Sequence, residues 1–170
     1  MTEAVIVATA RSPIGRAAKG SLVSIRPDDL SAQIVKALMA KVPSVSASDV
    51  EDLIMGCGQP AGEAGFNIAR VTAVLAGLDE APGVTVNRYC SSSLQTIRMA
   101  SHAIKAGEGD CFVAGGVETV SRYMYGAADT GPHNELFADA EARSAERTEG
   151  GKGDWTAPAG VPDIYIAMGQ

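Results

Sequence analysis

The chain has 170 residues, 46% hydrophobic and 20% charged, which suits one soluble globular domain or a domain with an appendage. Its formal net charge of −6 excludes the basic excess of a nucleic-acid binder and reads as ordinary solubility. No apolar stretch approaches the ~20 residues that span a bilayer, and three cysteines, Cys57, Cys90 and Cys111, are too few and too odd in number for a disulfide framework. No Cys-x-x-Cys or His-rich cluster suggests a metal site. Met1-Thr2-Glu3 leads straight into a strand-like run with no signal pattern, so a reducing cytoplasm is the expected compartment.

Ala4 to Ala8 (Ala-Val-Ile-Val-Ala) is a continuous apolar run, expected as a strand buried on both faces. Thr9 to Arg16 is a turn-rich loop. Asp28 and Asp29 after Pro27 open a helix whose Leu30, Ile34, Leu38 and Val42 share a side, with Pro43 as its stop. Ser46 to Glu51 is a polar connection, and Leu53-Ile54-Met55 a second buried strand running into Gly56-Cys57-Gly58. A Gly-rich loop from Gln59 to Gly65 precedes a helix over Asn67 to Ala76, closed by Gly77. Val84 and Val86 alternate as in a half-buried strand.

After that strand comes a helix. Ser91 to Ser93 are cap-type residues, and Leu94, Ile97, Ala100 and Ile104 recur at helical spacing before Gly107. Cys111 to Ala114 is a fourth strand, followed by Gly115-Gly116-Val117-Glu118. Repeated strand–helix–strand units predict an α/β fold with a mainly parallel sheet. After Ser121 periodicity fades. Ala138 to Arg147 reads as a charged surface helix ended by Gly150-Gly151-Lys152-Gly153, and Pro162-Asp163 as the start of another bearing Ile164, Ala167 and Met168. That last helix stops before it can bury a face, so the chain is expected to be a fragment or to be completed by a partner.

Cys90 stands at the strand-to-helix junction. A thiol there meets unpaired N–H groups and the positive end of the helix dipole, which favour the thiolate, the attacking form. The alternative is a buried structural cysteine. A nucleophile needs a base for part of its cycle. His102 lies twelve residues along the same helix, about 18 Å away at 1.5 Å per residue, and reads as a surface histidine. His133, in the loop Gly131-Pro132-His133-Asn134, reaches Cys90 only if that loop folds back. The chain thus holds a plausible nucleophile and no convincing base. Cys57 and Cys111 read as core residues. Arg11, Arg16, Arg88 and Lys105 read as solvated, with an anionic ligand as the alternative. Met124 and Met168 suit packing or an apolar pocket equally, and Trp155 has no assignable role.

Three stretches together resemble the N-terminal half of the thiolases, the acetyl-CoA acyltransferases. They are Thr9-Ala10-Arg11-Ser12-Pro13-Ile14-Gly15, Val86-Asn87-Arg88-Tyr89-Cys90-Ser91-Ser92-Ser93-Leu94-Gln95, and Gly115-Gly116-Val117-Glu118-Thr119-Val120-Ser121; Met168-Gly169 also matches. The resemblance implies a thiolase-like αβαβα layered fold with a mainly parallel, mixed five-stranded sheet per half. Residues 1–121 would be the N-terminal α/β domain and residues 122–170 the start of the loop domain that covers CoA.

By the same resemblance Cys90 is the catalytic nucleophile that takes up the acyl group, and its own N–H helps form an oxyanion hole. Met168 is a substrate-binding residue. Acyl-CoA and CoA are substrates and there is no separate cofactor. The partner is a second copy, in a dimer or tetramer, or a second chain carrying the C-terminal half. The family's catalytic histidine, second cysteine and water-orienting asparagine belong to that other half. Ala167, where biosynthetic members often carry histidine, favours a degradative 3-ketoacyl-CoA thiolase. Ser93, where many members have glycine, implies modest repacking. The alternatives are a non-catalytic assembly or binding subunit, and a β-ketoacyl synthase relative, which the Asn87-Arg88 lead-in and the Gly115 to Ser121 run make the weaker reading.

Overall fold

A computed structural model describes residues 3–150, 160–166 and 168. They fall into two compact units, Met1–Asp129 and Thr130–Gln170. In the first, β1 (Asp52–Gly56) lies between β2 (Gly83–Val86) and β3 (Phe112–Gly116), giving the strand order β2-β1-β3. Both pairings are parallel, with Ile54 beside Val84 and Ala114. Parallel neighbours need crossovers, and these are helical here. The α/β class with a parallel sheet is therefore as expected.

Helix α1 (Pro27–Met39) starts with proline in its first turn, where no N–H is missed, and with Asp28 and Asp29 facing the positive dipole end. It ends at Met39, before the expected Val42. Helix α2 (Ile68–Ala76) ends on Gly77 at φ 85°, the left-handed stop the sequence signals. The two pack on each other and, with the sheet, enclose the core: Val35, Leu53, Met55, Cys57, Ile68 and Val113 are all buried. Leu53 and Ile68 have no exposed surface at all, each worth about 1.5–3 kcal/mol of burial.

Helix α3 (Ser92–Ala106) packs against β1 and β3. The core residues Leu53, Met55 and Cys57 alternate with Gly56, which meets the start of α3, so α3 covers the opposite side of the sheet from α2. Its buried stripe is Ser92, Thr96 and Ala100. The apolar spacing had pointed to the Ile97 side, yet Leu94 and Ile97 are 69% and 46% exposed. Small and hydroxylated residues face the sheet because the helix sits too close to it for large ones.

Two expected elements are not formed. Ala4 to Ala8 forms no strand and pairs with none among the described residues, and Val5, Ile6 and Val7 are more than 70% exposed. An apolar run signals a preference for burial; a strand also needs a free neighbour edge in register, which is a long-range condition. Residues 160–166 are bends and coil, with no helix at Pro162-Asp163. Trp155, Ala167, Gly169 and the Gly151-Lys152-Gly153 breaker lie outside the described residues. In the second unit α4 (Ala138–Glu149) forms as expected, and only its Ala140 is buried.

Candidate active site

Three strand exits build the site. β2 leads through Asn87 and Arg88 into a 3-10 turn, Tyr89–Ser91, that feeds directly into α3. Cys90 lies in this turn and is exposed, so its thiol is open to solvent and not a core group. The turn is tightly specified. Tyr89 has φ 45°, a left-handed value uncommon for a side chain of its size. Its N–H donates to Asn87 Oδ1 at 2.8 Å, and its C=O accepts from Ser92 Oγ at 2.6 Å. Ser92 Oγ also accepts the Arg88 N–H at 2.8 Å. Of the cap-type serines, it is Ser92 that ties the turn; Ser91 sits at the N-cap position without a side-chain cap bond.

Glycines let α3 come down on the strand ends. A Cβ on Gly56 would fall 2.5 Å from the Ser92 carbonyl carbon, and one on Gly116 would fall 2.1 Å from Ser93 Oγ. Of the Gly115-Gly116 pair, which closes β3, only Gly116 is needed for this close packing; a Cβ on Gly115 would meet nothing within 4 Å. The start of α3, with Cys90 just before it, thus stands over the carboxyl ends of the parallel strands.

Beside it the β1 exit is held by a carboxylate. Glu118 Oε2 accepts the Gly58 N–H at 2.7 Å, and Glu118 Oε1 accepts from the Cys57 thiol at 3.8 Å. Burial and the neighbouring Glu118 push the Cys57 thiol up to about 11, which keeps it protonated and unreactive at neutral pH. Cys111 is also raised, by burial first and then by Asp49 and Glu51. Tyr123 is raised as well, by burial first and then by the neighbouring Glu118 charge. Glu118, Asn87 and Tyr123 carry no periodicity or spacing signal of their own. Asn87 and Glu118 lay inside motifs that were already marked, and a polar residue one step past a strand end was the available signal.

Among the other candidates, His102 is exposed on α3, as expected. His133 belongs to the second unit, where its Nδ1 pairs with Glu141 at 2.7 Å and its ring stacks on Tyr165 at 3.8 Å. Arg88 and Lys105 are exposed. Arg11 and Arg16 line a cavity of about 390 Å³ between their loop, α1 and the end of β3, and Cys90 is not among its walls. Met124 and Met168 are both exposed, at 80% and 89%, and Met168 lies in the second unit. No cluster of three or more potential metal ligands occurs among the described residues.

The chain that carries the Cys90 thiol, with its Asn87-to-Leu94 and Gly115-to-Ser121 motifs, matches one family model: thiolase, N-terminal domain, over residues 4–165. The chain belongs to the thiolase family. It is 50% identical over 126 residues to the beta-ketoadipyl-CoA thiolase of Acinetobacter baylyi, covering 74% of this chain and 31% of that protein. It is 48% identical over 123 residues to the 3-ketoacyl-CoA thiolase of Bacillus subtilis, covering 72% and 31%. With that of Shewanella frigidimarina it shares 47% over 119 residues, covering 69% and 31%. The matched part of this thiolase chain thus spans about a third of each relative's length. Cys90 and its three strand exits fall inside the matched residues, and Met168 falls beyond them. No helix among the described residues is long and apolar enough to cross a membrane.

Proposed function

We propose that this chain is the N-terminal portion of a degradative-type thiolase in which Cys90 is the acylated nucleophile. The observation that carries the reading is an exposed thiol at the entry to α3, at the carboxyl ends of parallel strands, where open α/β sheets hold their ligands. In the proposed reaction the Cys90 thiolate attacks the 3-keto carbon of a 3-ketoacyl-CoA. The C2–C3 bond breaks, and its electron pair leaves with acetyl-CoA, which takes up a proton. A second CoA thiol then attacks the thioester, leaves as acyl-CoA, and returns the cysteine to its thiol. CoA is a substrate here and no separate cofactor takes part.

In this reading the Cys90 N–H helps hold the thioester oxygen. Residues 1–121 form the N-terminal α/β domain, residues 122–170 begin the loop domain over CoA, and Met168 stands at the substrate pocket. The proton-moving groups belong to the other half of a full-length enzyme, or to a second chain that carries it. The assembly is a dimer or tetramer in the cytoplasm, and the 170-residue chain alone completes no turnover.

The test is chemical. Iodoacetamide near neutral pH labels Cys90 faster than Cys57 or Cys111, and acyl-CoA leaves an acyl adduct on the Cys90 peptide. Labelling of Cys90 no faster than the other two, with no adduct, overturns the reading. So would wild-type-like turnover by this chain alone, for the claim of incompleteness. One observation favours a second reading, a non-catalytic assembly subunit: Leu94 and Ile97 leave an apolar side of α3 facing outward. That reading predicts the slow-labelling result.

A further inference from the structure

One chain of hydrogen bonds crosses all three strand exits and ends at the turn that carries Cys90. It begins at Glu118, just past β3. Glu118 takes the Gly58 N–H at 2.7 Å. On the other side of the Gly58 Cα, the Gly58 C=O accepts from Asn87 Nδ2 at 3.1 Å. The same Asn87 side chain, through Oδ1, accepts the Tyr89 N–H at 2.8 Å. Position 58 lies directly against the end of the Glu118 side chain. A Cβ there would fall 2.8 Å from Glu118 Oε2 and 3.5 Å from the Tyr89 Cα, so carboxylate, glycine and the Tyr89 backbone are in direct succession.

The far end of this chain is strained. Tyr89 holds φ 45°, which a bulky residue keeps only where its surroundings over-determine it. Ser92 supplies a local restraint from α3, through its bonds to the Tyr89 C=O and the Arg88 N–H. The restraint on the Tyr89 N–H comes from Asn87. Asn87 is itself oriented by Gly58, and Gly58 by Glu118. The relay therefore joins β3 to β1 to β2 and fixes the residue immediately before the thiol.

We propose that Glu118 is a positioning residue for Cys90, acting through Gly58 and Asn87 on the strained Tyr89 turn. This rests on the reading of Cys90 as the acylated nucleophile. Glu118 acts here without a bond to the Cys90 thiol; its carboxylate fixes the β1 exit, and the exit fixes the asparagine.

The experiment compares the wild-type chain with Glu118→Ala, Glu118→Gln, Asn87→Ala and Asn87→Asp. It reads amide hydrogen exchange at Tyr89 and iodoacetamide labelling of Cys90 from weakly acidic to weakly alkaline pH. Glu118→Ala is expected to speed Tyr89 exchange and slow Cys90 labelling, each about tenfold, the effect of losing one hydrogen bond to a charged group. Glu118→Gln keeps an oxygen for the Gly58 N–H and recovers most of both. Asn87→Asp keeps the acceptor for Tyr89 but loses the donor to the Gly58 C=O, so it recovers exchange only in part relative to Asn87→Ala.

A role through charge alone gives a different pattern: removing the carboxylate by either Glu118 substitution favours the thiolate, and both variants label faster. That result overturns the proposal, as does unchanged Tyr89 exchange in a folded Glu118→Ala chain. Should Glu118→Ala not fold, the Asn87 pair carries the comparison, and equal Tyr89 exchange in Asn87→Ala and wild type overturns it. A wild-type Cys90 that forms no thioester sinks the acyl-transfer reading separately, since the exchange comparison does not depend on it.

Discussion

Ser93 Oγ occupies the space that a side chain at Gly116 would need: a Cβ built there falls 2.1 Å from that oxygen. The first turn of α3 and the last residue of β3 are thus fitted to each other, and Ser93 fills the gap. Gly116→Ala is expected to cost about 1–3 kcal/mol by overpacking. Adding Ser93→Gly should recover part of this, since the new Cβ would still fall 2.9 Å from the backbone Gly56 C=O. Gly56→Ala offers a contrast, because its Cβ meets the backbone of Ser92 and Ser93, which Ser93→Gly leaves in place. Urea unfolding of the single and double variants reads the coupling directly; additive losses would refute the fit.

Thr96 has no exposed surface, and its hydroxyl is shared between the Ser93 C=O at 2.7 Å and the Gly115 C=O at 3.1 Å. It is the polar link between the middle of α3 and β3. Thr96→Val keeps the shape and removes the donor. A loss of about 1–2 kcal/mol is expected from the denaturation midpoint. An unchanged midpoint would mean that packing alone seats this helix.

Cys57 binds its proton more tightly in the fold than its ordinary value of 9.0 implies, being raised to about 11 by burial and by Glu118. A group raised on folding stabilises the protein below its unfolded value and loses that contribution as pH rises to the folded one. Stability should therefore decline between roughly pH 9 and 11. Cys57→Ala should flatten this decline in thermal melts, at the expense of a lower plateau from the small cavity left behind. A decline of the same size in the variant would assign it to other groups.

Glu63 joins two loops of the first unit. It accepts from Arg122 Nη2 at 2.6 Å, from Arg122 Nε, and from Arg26 Nη1 at 3.2 Å. The Arg122 hydrogen bonds hold its carboxyl below the ordinary value of 4.5. A depressed carboxyl contributes stability above its unfolded value and loses it as pH falls through the folded one. Acid should therefore loosen the contact between the Gly62–Ala64 and Val120–Tyr125 turns before the sheet opens. Fluorescence or exchange at Tyr125, whose ring lies 4.7 Å from the Arg122 guanidinium, would follow this. Glu63→Gln should remove the acid step; a step that persists would point to another carboxylate.

Local chemistry determined much of this protein from the sequence alone. The three strands of the sheet, helices α1 to α4 and the stops at Gly77 and Gly107 follow from periodicity, cap residues and glycine, which act over a few residues. The position of Cys90 between strand and helix was legible for the same reason, and so was the family, from three motifs in order.

The tertiary structure decided what depends on distant partners. It set which side of α3 meets the sheet, since the approach allowed by Gly56 and Gly116 selects Ser92, Thr96 and Ala100 over Ile97. It left Val5 to Val7 unpaired among the described residues, because burial preference does not supply a neighbour edge. It joined Glu118 to Gly58 across sixty positions and, through Asn87, to the residue before the thiol. Hydrogen bonds between strand ends leave no periodic trace in a sequence, so that link became visible only once the sheet had brought the three exits together.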